Sequence, residues 1–186
     1  MTRYAMVMDT RRCIGCHSCT IACRTWNELP VDVIYNPVVS EGAVGQWPNV
    51  HLNFTPMICM HCAKPACVPA CPTGASRQDE DGIVWVEPTQ CMGCKVCANA
   101  CPYGARDYNK QEGWIRKCTF CKDRTRNGLP THCVQTCHQK ARIFGDLDDP
   151  NSEVSKLVNS NYCERIFPEL GTDPQIYYIR DNGRRA

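Results

Sequence analysis

The chain has 186 residues, 43% of them hydrophobic, with 17 cysteines, and its 21 basic and 19 acidic side chains leave a formal charge of +2. That length suits one large domain or two small ones, and the absence of a basic run or an aromatic-interleaved Lys/Arg stripe excludes a nucleic-acid partner. No stretch approaches the ~18 apolar residues of a membrane-spanning helix, and Arg11-Arg12 is followed by cysteines rather than the apolar run of an export signal.

Tyr4–Met8 is a short apolar strand that leads into the first of four cysteine tetrads. Cys13, Cys16, Cys19 and Cys23 follow the spacing Cys-x2-Cys-x2-Cys-x3-Cys. Residues 27–56 hold Pro30, Pro37, Pro48 and Pro56 with few periodic apolar side chains, and read as an extended insertion wrapping a surface. Cys59, Cys62, Cys67 and Cys71 form the second tetrad, with two extra residues before the third cysteine. Pro72-Thr73-Gly74-Ala75 turns the chain away, and Ser76–Gln78 and Ile83–Val86 flank a Gly-containing loop as a β-hairpin. Cys91, Cys94, Cys97 and Cys101 repeat the first spacing, and Pro102-Tyr103-Gly104-Ala105 repeats the exit. A second hairpin joins Arg106–Asn109 to Trp114–Arg116. Cys118, Cys121, Cys133 and Cys137 keep the opening and closing gaps around a longer insertion, and His138-Gln139-Lys140-Ala141 is a looser copy of the exit. Arg142–Phe144 is a strand suited to pair with Tyr4–Met8. A helix is expected over Ser152–Asn159, a last strand over Gln175–Arg180, and a loose tail over Asp181–Ala186.

The repeated unit is thus a cysteine loop, a short helix ending near the fourth cysteine, and a strand. Its spacing is similar to that of bacterial-type ferredoxins, in which each tetrad supplies most of one [4Fe–4S] cluster. Thiolates are soft anionic ligands suited to iron, and Gly15 and Gly93 permit tight approach of the backbone. A disulfide scaffold is disfavoured, because its framework does not need repeated two-residue gaps. Zinc uses paired Cys-x2-Cys motifs, which leaves a third and fourth cysteine in excess except in the last tetrad. Each oxidised cluster with its four thiolates carries about −2, which brings the holoprotein to roughly −6.

In two-cluster ferredoxin units the fourth cysteine of each tetrad ligates the other cluster. The first hairpin returns the chain from Cys71 to Cys91, and the terminal strands bring Cys137 beside Cys13. Reciprocity then gives four ligand sets. Cluster 1 takes Cys13, Cys16, Cys19 and Cys137; cluster 2 takes Cys23, Cys118, Cys121 and Cys133. Cluster 3 takes Cys59, Cys62, Cys67 and Cys101; cluster 4 takes Cys71, Cys91, Cys94 and Cys97. The second hairpin argues mildly against this, since it draws Cys101 toward Cys118. The expected fold is α+β, with two ferredoxin-like modules, one inserted in the other. Residues 1–53 and 106–147 form the outer module, 54–105 the inserted one, and 148–186 a C-terminal extension.

The tetrad order, the long gap in the last tetrad, Cys71-Pro72-Thr73-Gly74-Ala75, Cys118-Thr119-Phe120-Cys121 and Phe144-Gly145-Asp146-Leu147-Asp148-Asp149-Pro150 carry a wider resemblance. From Tyr4 to about Ile179 the chain resembles the four-cluster electron-transfer subunits of the dimethyl-sulfoxide-reductase superfamily, those of polysulfide and thiosulfate reductases above all. The resemblance implies a catalytic subunit holding a molybdenum or tungsten bis-pterin cofactor, and often a quinone-reactive membrane anchor. It places the tetrad-one cluster nearest the catalytic subunit and the tetrad-three cluster at the far end. Some relatives lack a tetrad-three cysteine and carry a [3Fe–4S] cluster; Cys94 stands there in this chain, which implies four [4Fe–4S] clusters. Arg24 and His138 replace the proline that follows the fourth cysteine elsewhere, and a different helix exit accounts for both.

No phosphate loop, dinucleotide fingerprint or nucleophile elbow is present, so no catalytic residue and no small-molecule substrate are expected. The competing assignments are a relay subunit of a hydrogenase or formate-oxidising complex, and a zinc-organised binding module. His17, His61 and His132 are not expected to be ligands, His61 instead contacting sulfur or lying at the surface. Cys163 reads as a half-buried free thiol. Trp26, Trp47, Trp85 and Trp114 serve the core, cluster shielding or a partner. Without a signal of its own the chain is either cytoplasmic or exported folded with a signal-bearing partner, and the resemblance favours export.

Overall fold

The computed structural model describes residues 2–160 and 163–180, so the predicted tail Asp181–Ala186 lies outside the described residues. The first half contains β1 (Tyr4–Asp9), α1 (Ser18–Trp26), β2 (Val38–Gln46), β3 (Asn49–Pro56), β4 (Ser76–Gln78), β5 (Val84–Val86) and α2 (Val96–Asn99). The second contains β6 (Asp107–Asn109), β7 (Trp114–Arg116), α3 (Lys122–Thr125), α4 (His132–Gln135), β8 (Arg142–Asp146), α5 (Glu153–Asn159) and β9 (Ile176–Ile179). Helices and strands are interleaved, an α+β architecture.

Every residue of β1 after Tyr4 is buried, and a strand buried on both faces needs cover on both. It lies at the centre of a three-stranded sheet in the order β8-β1-β9. β8 runs antiparallel to it with Met8 opposite Arg142, and β9 runs parallel with Met6 opposite Ile176. Alternation divides the strand between two cores. Met6 and Met8 join Ile58, Met60, Ile83, Phe120 and Tyr178 on one face, while Ala5 and Val7 meet Val154 and Tyr177 on the other. The C-terminal segment therefore completes the sheet, with α5 packed beneath it.

The remaining pairings are hairpins: β4 with β5, β6 with β7, and β2 with β3. The first two follow the sequence expectation closely. The third corrects it: residues 38–56 form a long hairpin with a bulge between Ser40 and Ala43, not an extended wrap. Nearly all of β2 is exposed, so no buried face imposes the alternation by which a strand is recognised. The short helices also end differently. α2 and α4 stop before the fourth cysteine of their tetrads, whereas α1 runs past Cys23 to Trp26.

Candidate metal centres

Each tetrad opens on the same backbone kink. The residue before its second cysteine has a positive φ: 67° at Gly15, 41° at His61, 70° at Gly93 and 52° at Phe120. A left-handed residue reverses the chain tightly, so a two-residue gap presents both thiols to one cavity. Glycine takes this turn without strain and allows close packing. A Cβ on Gly15 would lie 2.5 Å from the Phe54 ring, and one on Gly93 would lie 2.5 Å from the Gly113 carbonyl oxygen. His61 and Phe120 carry the same turn at a cost. Both are fully buried and their rings stack at 3.7 Å, packing that holds the strained pair in place.

Four cavities result, each lined by four cysteines. Cys13, Cys16, Cys19 and Cys137 line one, and Cys23, Cys118, Cys121 and Cys133 a second. Cys59, Cys62, Cys67 and Cys101 line a third, and Cys71, Cys91, Cys94 and Cys97 a fourth. Strand pairing delivers each fourth cysteine. The β1–β8 ladder continues through Asp9 N–H to the Ala141 carbonyl at 2.8 Å, beside Cys13 and Cys137. The β4–β5 ladder continues through Glu87 N–H to the Ala75 carbonyl at 2.8 Å, between Cys71 and Cys91. β6 and β7 carry the chain from Cys101 to Cys118, which line neighbouring cavities rather than one.

The donor chemistry suits an anionic metal–sulfur guest. Backbone N–H groups of Ser76, Phe120 and Ala141 donate to Cys71, Cys118 and Cys137 Sγ at 3.4, 3.5 and 3.2 Å. Burial, then the neighbouring Cys133 and Cys121 charges, pushes the Cys23 thiol up to about 12. Burial chiefly takes Cys62 to about 12 and Cys118 well above its usual value. Four such thiolates gather only around a compensating cation, which iron supplies. What marks these cavities is their lining, four convergent thiols in each. Among the described residues, no group of three or more His, Cys, Asp or Glu is arranged to grip a single metal ion.

Three buried cations, which the tetrads alone do not single out, lie among these cavities. Arg106, Lys117 and Arg142 are 6%, 2% and 3% exposed. None is ion-paired to a carboxylate among the described residues. Nη1 of Arg106 and Nη1 of Arg142 are buried without a hydrogen-bond partner there. Burial opposes the Arg106 charge, and the Cys67, Cys97 and Cys59 thiolates more than offset it. Burial lowers the Lys117 ammonium, with the Cys59 thiolate acting against it. A sequence signal exists for two of them: Ala105-Arg106 and Ala141-Arg142 stand at the same place after the fourth cysteines of tetrads three and four. Thr172, from the C-terminal segment, also lines the Cys59 cavity and lies 2.7 Å from the Tyr103 hydroxyl.

Other residues singled out in the sequence take lesser places. His61 is fully buried, not at the surface, and its Nδ1 accepts the Val84 N–H at 3.1 Å. His17 lines the Cys13 cavity, and the His132 ring lies against Trp26 with centroids 4.2 Å apart and planes tilted by 37°. Cys163 is half-buried and packs against the Val154 core, apart from the four cavities. Trp47 is 88% exposed at the tip of the β2–β3 hairpin.

Residues 50–147 match one 4Fe–4S dicluster domain family, and residues 12–75 match a second of the same description. Over 95% of its length the chain is 39% identical to a selenate reductase subunit of Mesobacillus selenatarsenatis, covering 72% of that protein. It is 38% identical to a sulfite dehydrogenase subunit of Allochromatium vinosum, over 96% of this chain and 83% of that one. A tetrathionate reductase subunit of Salmonella typhimurium is 42% identical, over 95% of this chain and 72% of its own. The chain belongs to the four-cluster, ferredoxin-type electron-transfer subunits of the dimethyl-sulfoxide-reductase superfamily. This electron-transfer subunit holds four [4Fe–4S] clusters and serves an oxidoreductase complex whose catalysis lies in a partner. These relationships support that role over one in a hydrogenase or formate-oxidising complex. No helix among its described residues is long and apolar enough to cross a membrane.

Proposed function

We propose that the four clusters form a line in the order of tetrads one, four, two and three. Cluster 1 is held by Cys13, Cys16, Cys19 and Cys137, cluster 2 by Cys23, Cys118, Cys121 and Cys133. Cluster 3 is held by Cys59, Cys62, Cys67 and Cys101, cluster 4 by Cys71, Cys91, Cys94 and Cys97. A ferredoxin-like module of residues 54–105 is inserted in an outer one of 1–53 and 106–147, with 148–186 as an extension. Each cluster, when bound, accepts and returns one electron; the chain's part is to hold, space and insulate them.

The observation that carries this reading is exposure. Of the sixteen tetrad thiols two are exposed, Cys16 in tetrad one and Cys94 in tetrad three. Those two ends each present an exposed thiol, whereas every thiol of the middle pair is buried or half-buried. A molybdenum or tungsten bis-pterin subunit docks at the tetrad-one end. A quinone-reactive membrane anchor, or another redox partner, docks at the tetrad-three end. The subunit is exported folded, together with its catalytic partner.

Ile14 and Met92, 57% and 67% exposed beside the two end cavities, serve as test positions. A photo-crosslinker at position 14 is expected to capture the metal–pterin subunit in the native complex, and one at position 92 the other partner. Capture in the opposite sense, or a native complex without molybdenum or tungsten, overturns the proposal. The ligand sets have their own check in Cys94→Ser. Redox-monitored EPR should show loss or conversion of the cluster 4 signal alone; four unaltered signals would sink the assignment.

A further inference from the structure

We infer that Arg142, Lys117 and Arg106 form a line of buried positive charge, one at each junction between neighbouring cysteine cavities, that stabilises the reduced state of the two clusters it separates. The inference rests on the ligand sets proposed above. Among the described residues these three are the Lys and Arg side chains that are buried. Buried cations are rare unless an anion compensates them, and among the described residues no carboxylate does so for any of the three. The anions on hand are the thiolate-bound clusters.

Their anchoring is what assigns each to a junction. Arg142 lines the Cys13 cavity and donates from Nη2 to Asn36 Oδ1 at 2.7 Å, and Asn36 lines the Cys118 cavity. Lys117 donates from Nζ to the Cys118 carbonyl at 2.6 Å and to the carbonyl of Val84, which lines the Cys59 cavity. Arg106 lines the Cys59 cavity, donating from Nη2 to Cys67 Sγ at 2.8 Å. The same Nη2 reaches Ser76 Oγ at 2.8 Å, and Ser76 lines the Cys91 cavity. Each cation is therefore tied to two cavities, and the three together join all four in sequence.

Reduction adds one electron from a donor cluster or partner and takes a cluster from about −2 to about −3, with no bond made or broken. A positive charge fixed between two such anions favours the extra electron on either and offsets their mutual repulsion, the more so away from water. The side chains act through position and charge and take no electron themselves.

Redox-monitored EPR of the purified native complex tests this, with clusters identified by cysteine variants. Lys117→Gln is expected to lower the midpoints of clusters 2 and 3 by at least tenfold in the one-electron equilibrium, about 59 mV. Arg142→Gln should lower clusters 1 and 2, and Arg106→Gln clusters 3 and 4. Lys117→Arg, Arg142→Lys and Arg106→Lys should each stay near the wild type. Unmoved midpoints, or an equal shift of all four, overturn the inference. Where a glutamine variant assembles fewer clusters, iron content becomes the readout. Full content in the charge-retaining variant then supports the role of charge, and loss in both variants overturns it. An error in the ligand sets would show differently, as a cysteine variant altering an unexpected signal.

Discussion

The tetrads differ most at the residue that carries the left-handed turn. Gly15 and Gly93 make it freely in the two exposed tetrads, while His61 and Phe120 make it in the two inner ones. A bulky residue in that conformation stores strain of order 1–3 kcal/mol. The inner tetrads accept the cost because the two rings fill the space between them. Phe120 stacks on His61 and meets Phe144 edge-on at 5.1 Å. Phe120→Ala is expected to cost about 3–5 kcal/mol by opening a cavity there. The thermal midpoint of the anaerobic holoprotein should fall by roughly 10 °C, with the cluster 2 and 3 signals broadening first. An unchanged midpoint would show that the stack does not support the turn.

At the level of elements, short ladders steer ligands that lie far apart in sequence. β4–β5 and β6–β7 are three residues long on each strand, too short to be stable alone; the cavities they flank fix them in turn. α5 is a clearer local case. Ser152 caps it, accepting the Ser155 N–H at 3.0 Å, and its hydroxyl also donates to the Asp146 carbonyl at 2.5 Å. Ser152→Ala should lose about 1 kcal/mol, read as a fall of about 2–4 °C in the thermal midpoint. All four cluster signals should remain unaltered, because α5 underlies the sheet and lines none of the cavities.

Over the whole molecule the clusters and the hydrophobic core are one structure. Cys19 and Cys133 sit in the main core with Met6 and Phe120, Cys67 and Cys97 in a second, and Cys23 in a third. Removing iron leaves buried thiols and three buried cations without compensation. Stripping the iron anaerobically with an oxidant and a chelator should therefore abolish visible absorbance and near-UV circular dichroism together. A bleached protein with intact tertiary dichroism would contradict this. The same unity explains why the C-terminal segment belongs with the sites: β9 completes the central sheet and the preceding loop supplies Thr172.

Ligand number and type were legible in the sequence because cluster loops are local. Two-residue gaps name three thiols in tetrads one and three and two in tetrads two and four, where the third follows a longer gap, and glycine-containing turns name the two hairpins. The resemblance carried by those residues named the family as well. The rest depends on contacts between distant residues. Parallel pairing of β9 with β1 leaves no local trace, and the exposed β2–β3 hairpin has no buried face to impose a pattern. The hairpin return and reciprocity already assigned each fourth cysteine from the sequence, and long-range strand pairing is what places Cys137 and Cys71 beside those cavities. Tertiary structure alone brought Arg106, Lys117 and Arg142 inside, because whether a cation is buried depends on what the rest of the chain folds over it. The composition of the wire is thus written in local spacing, and its charge environment in long-range packing.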